Sequence, residues 1–130
     1  MHLRDHYFDI VTCLDVLEHL PSDKIYCAIN EMVRVLKRKG ILIVSVPSKN
    51  IKTGKTHYSH YDQKELRTIL QEKFCEISLI GCGKHILVLD NVMNYPKIWK
   101  FIKKLIVKQV DPSKALTLIA KAQKFDLKDF

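Results

Sequence analysis

The sequence predicts one α/β domain built on a mostly parallel sheet, and three observations predict it. Two short, almost continuous apolar runs, YFDIVTCL at 7–14 and ILIVSV at 41–46, have the character of strands buried on both faces. The segment between them repeats apolar residues at helical spacing. The 130 residues, 47% hydrophobic and 28% charged, suffice for one core and fall short of two. Buried strands alternating with amphipathic helices imply parallel strands joined by crossovers. Ligands of such sheets sit at the carboxyl ends of the strands, which here means residues 14–19 and 47–61.

The elements follow in order. After the first strand, Pro21 and Ser22 supply a turn and a helix N-cap. Ile25, Ala28, Ile29, Met32, Val33 and Leu36 then give one apolar stripe over a helix of about 23–38. Its basic last turn suits the negative end of the helix dipole. Gly40 stands where a left-handed residue would end the helix. Pro47 stops the second strand. Asp62 and Glu65, three apart, form a capping box for a helix to about Lys73, with Ile69 and Leu70 inward. Residues 74–82, FCEISLIGC, read as a third strand. Residues 115–122, ALTLIAKA, read as a strand or a short helix.

Charge is uneven. Residues 84–108 hold six lysines against Asp90, a net +5 of the chain's +8. The basicity therefore belongs to one segment. Within it, Ile98, Phe101, Ile102 and Leu105 share one helical face and lysines take most of the other. That pattern suits a helix at an anionic membrane surface, a lid over a substrate pocket, or an ordinary cover helix. With no nucleic-acid motif beside it, nucleic-acid binding is not expected. No apolar run reaches the length of a membrane span. The charged first 20 residues lack the apolar core of a signal peptide, so a cytoplasmic chain is expected, with peripheral membrane contact through 96–108 as its one link to lipid. Four cysteines (13, 27, 75, 82) show no metal-type spacing and read as small core hydrophobes, with a Cys75–Cys82 disulfide as the alternative.

The run FDIVTCLDVLEHLPSDK, followed by Arg34-Val35-Leu36-Lys37, Gly40 and an apolar strand ending in Pro47, resembles the second half of a class I S-adenosylmethionine-dependent methyltransferase. Glu65-Leu66 at a helix start and Phe74 before a strand also fit. The resemblance covers residues 7–82 well and 115–123 loosely, and TCLDVLEH is most similar to small-molecule O-methyltransferases of the ubiquinone-biosynthesis kind. It implies the C-terminal half of a Rossmann-like sheet: 7–14 as the fourth strand, 41–46 as the fifth, and 74–82 with 115–122 as a terminal pair, one of them antiparallel. Residues 1–130 would then be a partial methyltransferase domain with a basic insertion at about 84–112.

The family holds its cofactor on a glycine-rich loop, and the glycines here (40, 54, 81 and 83) provide none ahead of the first strand. Gly81-Cys82-Gly83 follows the wrong strand. The expectation is therefore weak or absent S-adenosylmethionine binding by this chain alone. The central strand 7–14 would be left with an open edge, prone to self-association or to pairing with a partner chain. The alternative function is a non-catalytic α/β module that pairs with such a partner or docks on a membrane.

The resemblance places Leu14 and Asp15 against the cofactor. Asp15, Glu18 and His19 stand at i, i+3 and i+4 and would share one face of a helical turn. The ubiquinone-type relatives carry a similar E-x-x-E-H run associated with a divalent cation. Three roles stay open for Glu18 and His19: a general base, with His19 taking a proton from a substrate hydroxyl; a cation site; and capping of the turn. No metal is assigned. His57, Tyr58, His60 and Tyr61 crowd the loop after the second strand; His57, His60 and Tyr61 are the candidates for contact with a small-molecule or lipid-like acceptor, a solvated loop being the alternative. Lys49, Lys52 and Lys55 read as solvated surface.

Overall fold

The structure, a computed structural model, describes residues 3–52, 57–83 and 109–125. The elements are β1 (Phe8–Leu14), a 3-10 turn (Leu17–His19), α1 (Ser22–Val35), β2 (Leu36–Pro47), α2 (Gln63–Gln71), β3 (Phe74–Cys82), β4 (Gln109–Val110) and β5 (Thr117–Lys124). They form one sheet in the order β1-β2-β5-β3-β4. β1 and β2 are parallel, β5 runs antiparallel to both β2 and β3, and β4 is antiparallel to β3. β1, β2 and β3 thus point the same way and β5 is the reversed strand between them, as the Rossmann-like reading expects. The ambiguity over 115–122 resolves to a strand. The basic segment 84–108, and Lys55, lie outside the described residues.

The core lies on the sheet face covered by the two helices. Leu42, Val44 and Val46 of β2 alternate inward, and Leu118, Ala120 and Ala122 of β5 do the same beside them; none of the six is accessible to solvent. The period of two is the strand's own. Ile25 and Ile29 of α1, Leu66 and Leu70 of α2, and Phe74 close the cluster. Burial of each such large side chain contributes roughly 1.5–3 kcal/mol.

Several local expectations need correction. α1 ends at Val35 rather than near residue 38, and Leu36 is already extended, so helix passes directly into strand. Its N-cap position is Pro21, without a side-chain cap bond, and Ser22 is the first helical residue. The left-handed residue is Lys39 (φ 58°), not Gly40. Between Phe8–Ile10 of β1 and the paired Leu36–Ile41 of β2 the register slips, so β2 carries extra residues there. Gly40 sits where this bulge folds back. A Cβ on it would lie 2.8 Å from the Lys37 carbonyl oxygen and 3.3 Å from that of Asp9, so close backbone approach demands glycine. At the C-terminal end of α1, Lys124 Nζ donates to the carbonyls of Val33 (2.7 Å) and Leu36 (2.8 Å), satisfying helix-end acceptors from across the sheet. Burial lowers the pKa of that ammonium.

β1 is not buried on both faces in this chain. It is an outer strand; Ile10 is 54% and Leu14 39% exposed, and only Cys13 is buried. All four cysteines are free, so the Cys75–Cys82 disulfide is not formed; Cys13 and Cys82 are buried while Cys27 and Cys75 are exposed. Gly81 lies inside β3 opposite Val110 and Cys82 ends that strand, so Gly81-Cys82-Gly83 is a strand end and not a cofactor loop.

Candidate active site at the strand ends

The site assembles where β1 and β2 end side by side. Leu14 is the last residue of β1 and pairs with Ser45. The chain then turns sharply at Asp15, whose φ of 51° is left-handed, a conformation that Asp tolerates better than most residues. Ser45 holds this turn. Asp15 N–H donates to the Ser45 carbonyl and to its Oγ, both at 3.1 Å, and Ser45 Oγ donates to the Asp15 carboxylate at 3.0 Å. The polar residue inside the otherwise apolar ILIVSV run is the sequence signal for this contact.

The turn changes the expected arrangement of Asp15, Glu18 and His19. Only Leu17–His19 is 3-10, and the left-handed residue before it directs the Asp15 side chain to Ser45. The structure instead groups Glu18 and His19 with His57: one donor atom from each lies within 4.8 Å of the others, a spacing that a cation could bridge. Glu18 is 2% exposed. No side-chain cap bond is made at the start of the 3-10 turn.

The loop carrying His57 is tied to the same turn through its backbone. Tyr58 N–H donates to the Glu18 carbonyl at 2.7 Å, and Tyr61 Oη donates to the Leu17 carbonyl at 3.3 Å. Tyr61 pairs with Ser48, just past the end of β2, through Tyr61 N–H to the Pro47 carbonyl and Lys49 N–H to the Tyr61 carbonyl. Burial, with Glu18 nearby, pushes the Tyr61 phenol up to about 12. Burial likewise raises the Cys13 thiol to about 11, aided by Glu18 and Asp15, so this cysteine is a packed thiol and not a nucleophile.

The rings of His19 and His57 meet edge to face with centroids 4.8 Å apart. His57 Nδ1 lies 2.8 Å from His60 Nε2, and His60 Nδ1 lies 3.0 Å from the Ile51 carbonyl oxygen. Of the residues expected to meet an acceptor, His57 is half-buried and part of the cluster, Tyr58 is exposed, and His60 and Tyr61 are buried. Lys49 is not merely solvated: it pairs with Asp62 and Glu65 of the α2 capping box. A surface hollow lined by His6–Ile10 and Lys37 lies along the opposite, amino end of β1 and touches none of the cluster.

Comparison with known proteins bears on this arrangement. Residues 1–44 match the model of a family described as a methyltransferase domain. An uncharacterized protein of Methanocaldococcus jannaschii is 34% identical over 112 residues, 85% of this chain and 46% of that protein. The fold is shared with crystal structures of a SAM-dependent methyltransferase from Archaeoglobus fulgidus (TM-score 0.63, 16% identity) and one from Thermotoga maritima (0.66, 19%). It is shared also with the N-methyltransferase NodS from Bradyrhizobium japonicum in complex with S-adenosyl-L-homocysteine (0.60, 17%). These matches cover 94%, 95% and 93% of this chain, and 62%, 59% and 48% of the respective structures. The chain thus spans about half the length of the curated relative and between 48% and 62% of these three structures.

Proposed function

We propose that the chain is part of a class I S-adenosylmethionine-dependent methyltransferase, a reading supported by the match of residues 1–44 and by the shared fold, and that it serves transfer of a methyl group to a small-molecule acceptor at the shared carboxyl end of β1 and β2. The observation that carries this reading is the convergence there of Leu14 and Asp15 with the Glu18, His19 and His57 cluster. When bound, S-adenosylmethionine supplies a methyl carbon made electrophilic by the sulfonium. The residues present fit one wall of such a site: Leu14 offers an apolar surface 39% exposed, and the Ser45-braced turn at Asp15 fixes the backbone beside it. Leu14 and Asp15 are assigned to the cofactor side. Glu18 and His19 are assigned to the chemistry, with His57 facing the acceptor and His60 and Tyr61 holding the loop that carries it. The protein's main contribution is positioning, with a smaller one from proton removal.

Because one wall supplies few contacts, affinity of this chain for the cofactor is weak. Titrating S-adenosylhomocysteine into the 15N-labelled chain should shift the amides of Leu14, Asp15 and Val16 without reaching tight saturation. Unmoved amides at those positions at high ligand concentration would overturn the assignment.

A second reading rests on the exposed edge of β1, where Ile10 and Leu14 present apolar side chains beside unpaired backbone. There the chain acts as an interaction module that adds a strand from a second copy or a partner chain. Sedimentation at increasing concentration separates the readings: association abolished by Ile10→Lys supports the edge, and a concentration-independent monomer removes it. The remaining proposals are a cytoplasmic location, a lipid-like acceptor and peripheral membrane contact through 96–108. Among the described residues no helix is long and apolar enough to cross a membrane.

A further inference from the structure

We infer, building on the methyl-transfer reading above, that Ser45 is a positioning residue of that site. Its buried hydroxyl locks Asp15 in the left-handed turn that presents Leu14 and Val16 to the cofactor, and the Asp15 carboxylate serves that lock and not the ligand. Asp15 leaves β1 with a φ of 51°, a region that is sterically costly for an L-residue and needs something to hold it. A serine hydroxyl has one hydrogen to give and lone pairs to receive with. Ser45 Oγ gives its hydrogen to the Asp15 carboxylate at 3.0 Å and receives the Asp15 N–H at 3.1 Å. Amide and carboxylate belong to one residue, so the two bonds close a ring that fixes φ and the side-chain torsion together. The Ser45 carbonyl, which accepts the same N–H at 3.1 Å, adds the strand-pairing bond. Ser45 is 3% exposed, so water competes little for its hydroxyl.

Engagement on Ser45 decides what the turn can offer a ligand. Among the described residues Ser45 is the one hydrogen-bond partner of the Asp15 carboxylate, and the Asp15 amide is used on Ser45 as well. What remains for a ligand is the apolar surface of Leu14 (39% exposed) and Val16 (45% exposed), on a backbone held in one conformation. The same turn aims the chain beyond it. Val16 precedes the 3-10 turn, where His19 N–H donates to the Val16 carbonyl at 3.0 Å, and this carries Glu18 to its buried position in the cluster with His57. One hydroxyl therefore sets the cofactor wall and the acceptor side together. Ser45, itself buried in β2, acts only through Asp15.

The test reads the sign of φ at residue 15 from couplings and Overhauser contacts in the 15N,13C-labelled full chain, beside a titration with S-adenosylhomocysteine. Ser45→Ala should lose the positive φ. It should also cut the shift induced at Leu14 and Val16 by about tenfold at a fixed ligand concentration, the factor for a lost hydrogen bond to a charged group. Ser45→Thr, which keeps the hydroxyl, should retain both. Asp15→Gly in the Ser45→Ala background should restore both, because glycine takes a positive φ unaided; a serine that only stabilises the sheet gives no such rescue. Asp15→Gly alone should keep the shifts at Leu14 and Val16, and their loss in a folded chain would put the carboxylate on the ligand and overturn the inference. A negative φ at Asp15 in the wild-type chain overturns it whether or not the variants fold, as does Ser45→Ala with φ and shifts unchanged. If S-adenosylhomocysteine shifts no amide over Leu14–Val16 of the wild-type chain, the methyl-transfer reading falls while the φ results still decide the lock, so the two failures are distinguishable.

Discussion

β1 and β2 are written in the same kind of sequence and end in different surroundings. Both are short apolar runs, and they lie parallel in register from Ile10–Ile41 to Leu14–Ser45. β2 has a neighbour on each side, and Leu42, Val44 and Val46 are inaccessible to solvent. Among the described residues β1 has one neighbour, and Ile10 stands 54% exposed. Apolar character therefore reports how a segment can be buried, whereas actual burial depends on what flanks it in the sheet. The two strands nevertheless cooperate at their ends, where Ser45 of β2 braces the turn that follows β1.

The sharpest way to break this comparison is to truncate one side chain in each strand. Leu42→Ala should cost about 2–5 kcal/mol, as for other fully buried leucines. Ile10→Ala should stay within about 0.5 kcal/mol. Urea unfolding followed by circular dichroism measures both, and equal losses would mean that β1 is covered in solution. A smaller effect is expected where the strands approach most closely. Gly40→Ala should cost about 1–3 kcal/mol, because the added methyl meets backbone carbonyls that cannot move aside. Thermal unfolding of the variant checks it.

Ser45→Ala comes next, at about 1 kcal/mol for the lost hydrogen bonds to Asp15. Amide exchange should quicken at Asp15 and through the 3-10 turn while the middle of β2 stays protected. The smallest effect is a control away from both strands. Asp62 accepts the Glu65 N–H in the capping box, and that bond, with Lys49 nearby, holds its pKa below the ordinary carboxylate value. A depressed folded pKa gives stability that is fully present above the unfolded value, near 4, and is lost as pH falls through the folded one. Asp62→Asn keeps the cap but should flatten this acid dependence of the melting temperature, without altering the difference between β1 and β2.

Much of the fold was legible. The strands at 7–14, 41–46 and 74–82 and the Asp62–Glu65 capping box are local signals, and the structure places each within a few residues. The α1–β2 boundary was not legible, because LKRKG reads equally well as a basic helix end with a glycine stop. What decides it is the pairing of Leu36 with Phe8 and the hydrogen bonds that Lys124, on the neighbouring strand β5, donates to the helix-end carbonyls. The site was half legible. Glu18 and His19 are adjacent in sequence, but the helical-face argument assumed a right-handed turn at Asp15. His57 joins them through long-range backbone bonds that no spacing rule reveals. The H-x-x-H pair at 57 and 60 was the available clue, and its meaning depends on the Ile51 carbonyl.

β1 and β2 run side by side in the same direction, so that their ends bring the Glu18–His19 turn to the His57 loop. Nuclear Overhauser contacts in the 15N,13C-labelled chain test it most directly. The expected result is parallel-type cross-strand contacts linking Val11 with Leu42 and Cys13 with Val44, together with ring-to-ring contacts between His19 and His57. Antiparallel-type contacts between the two strands, or a His57 ring with no contact to His19, would contradict it.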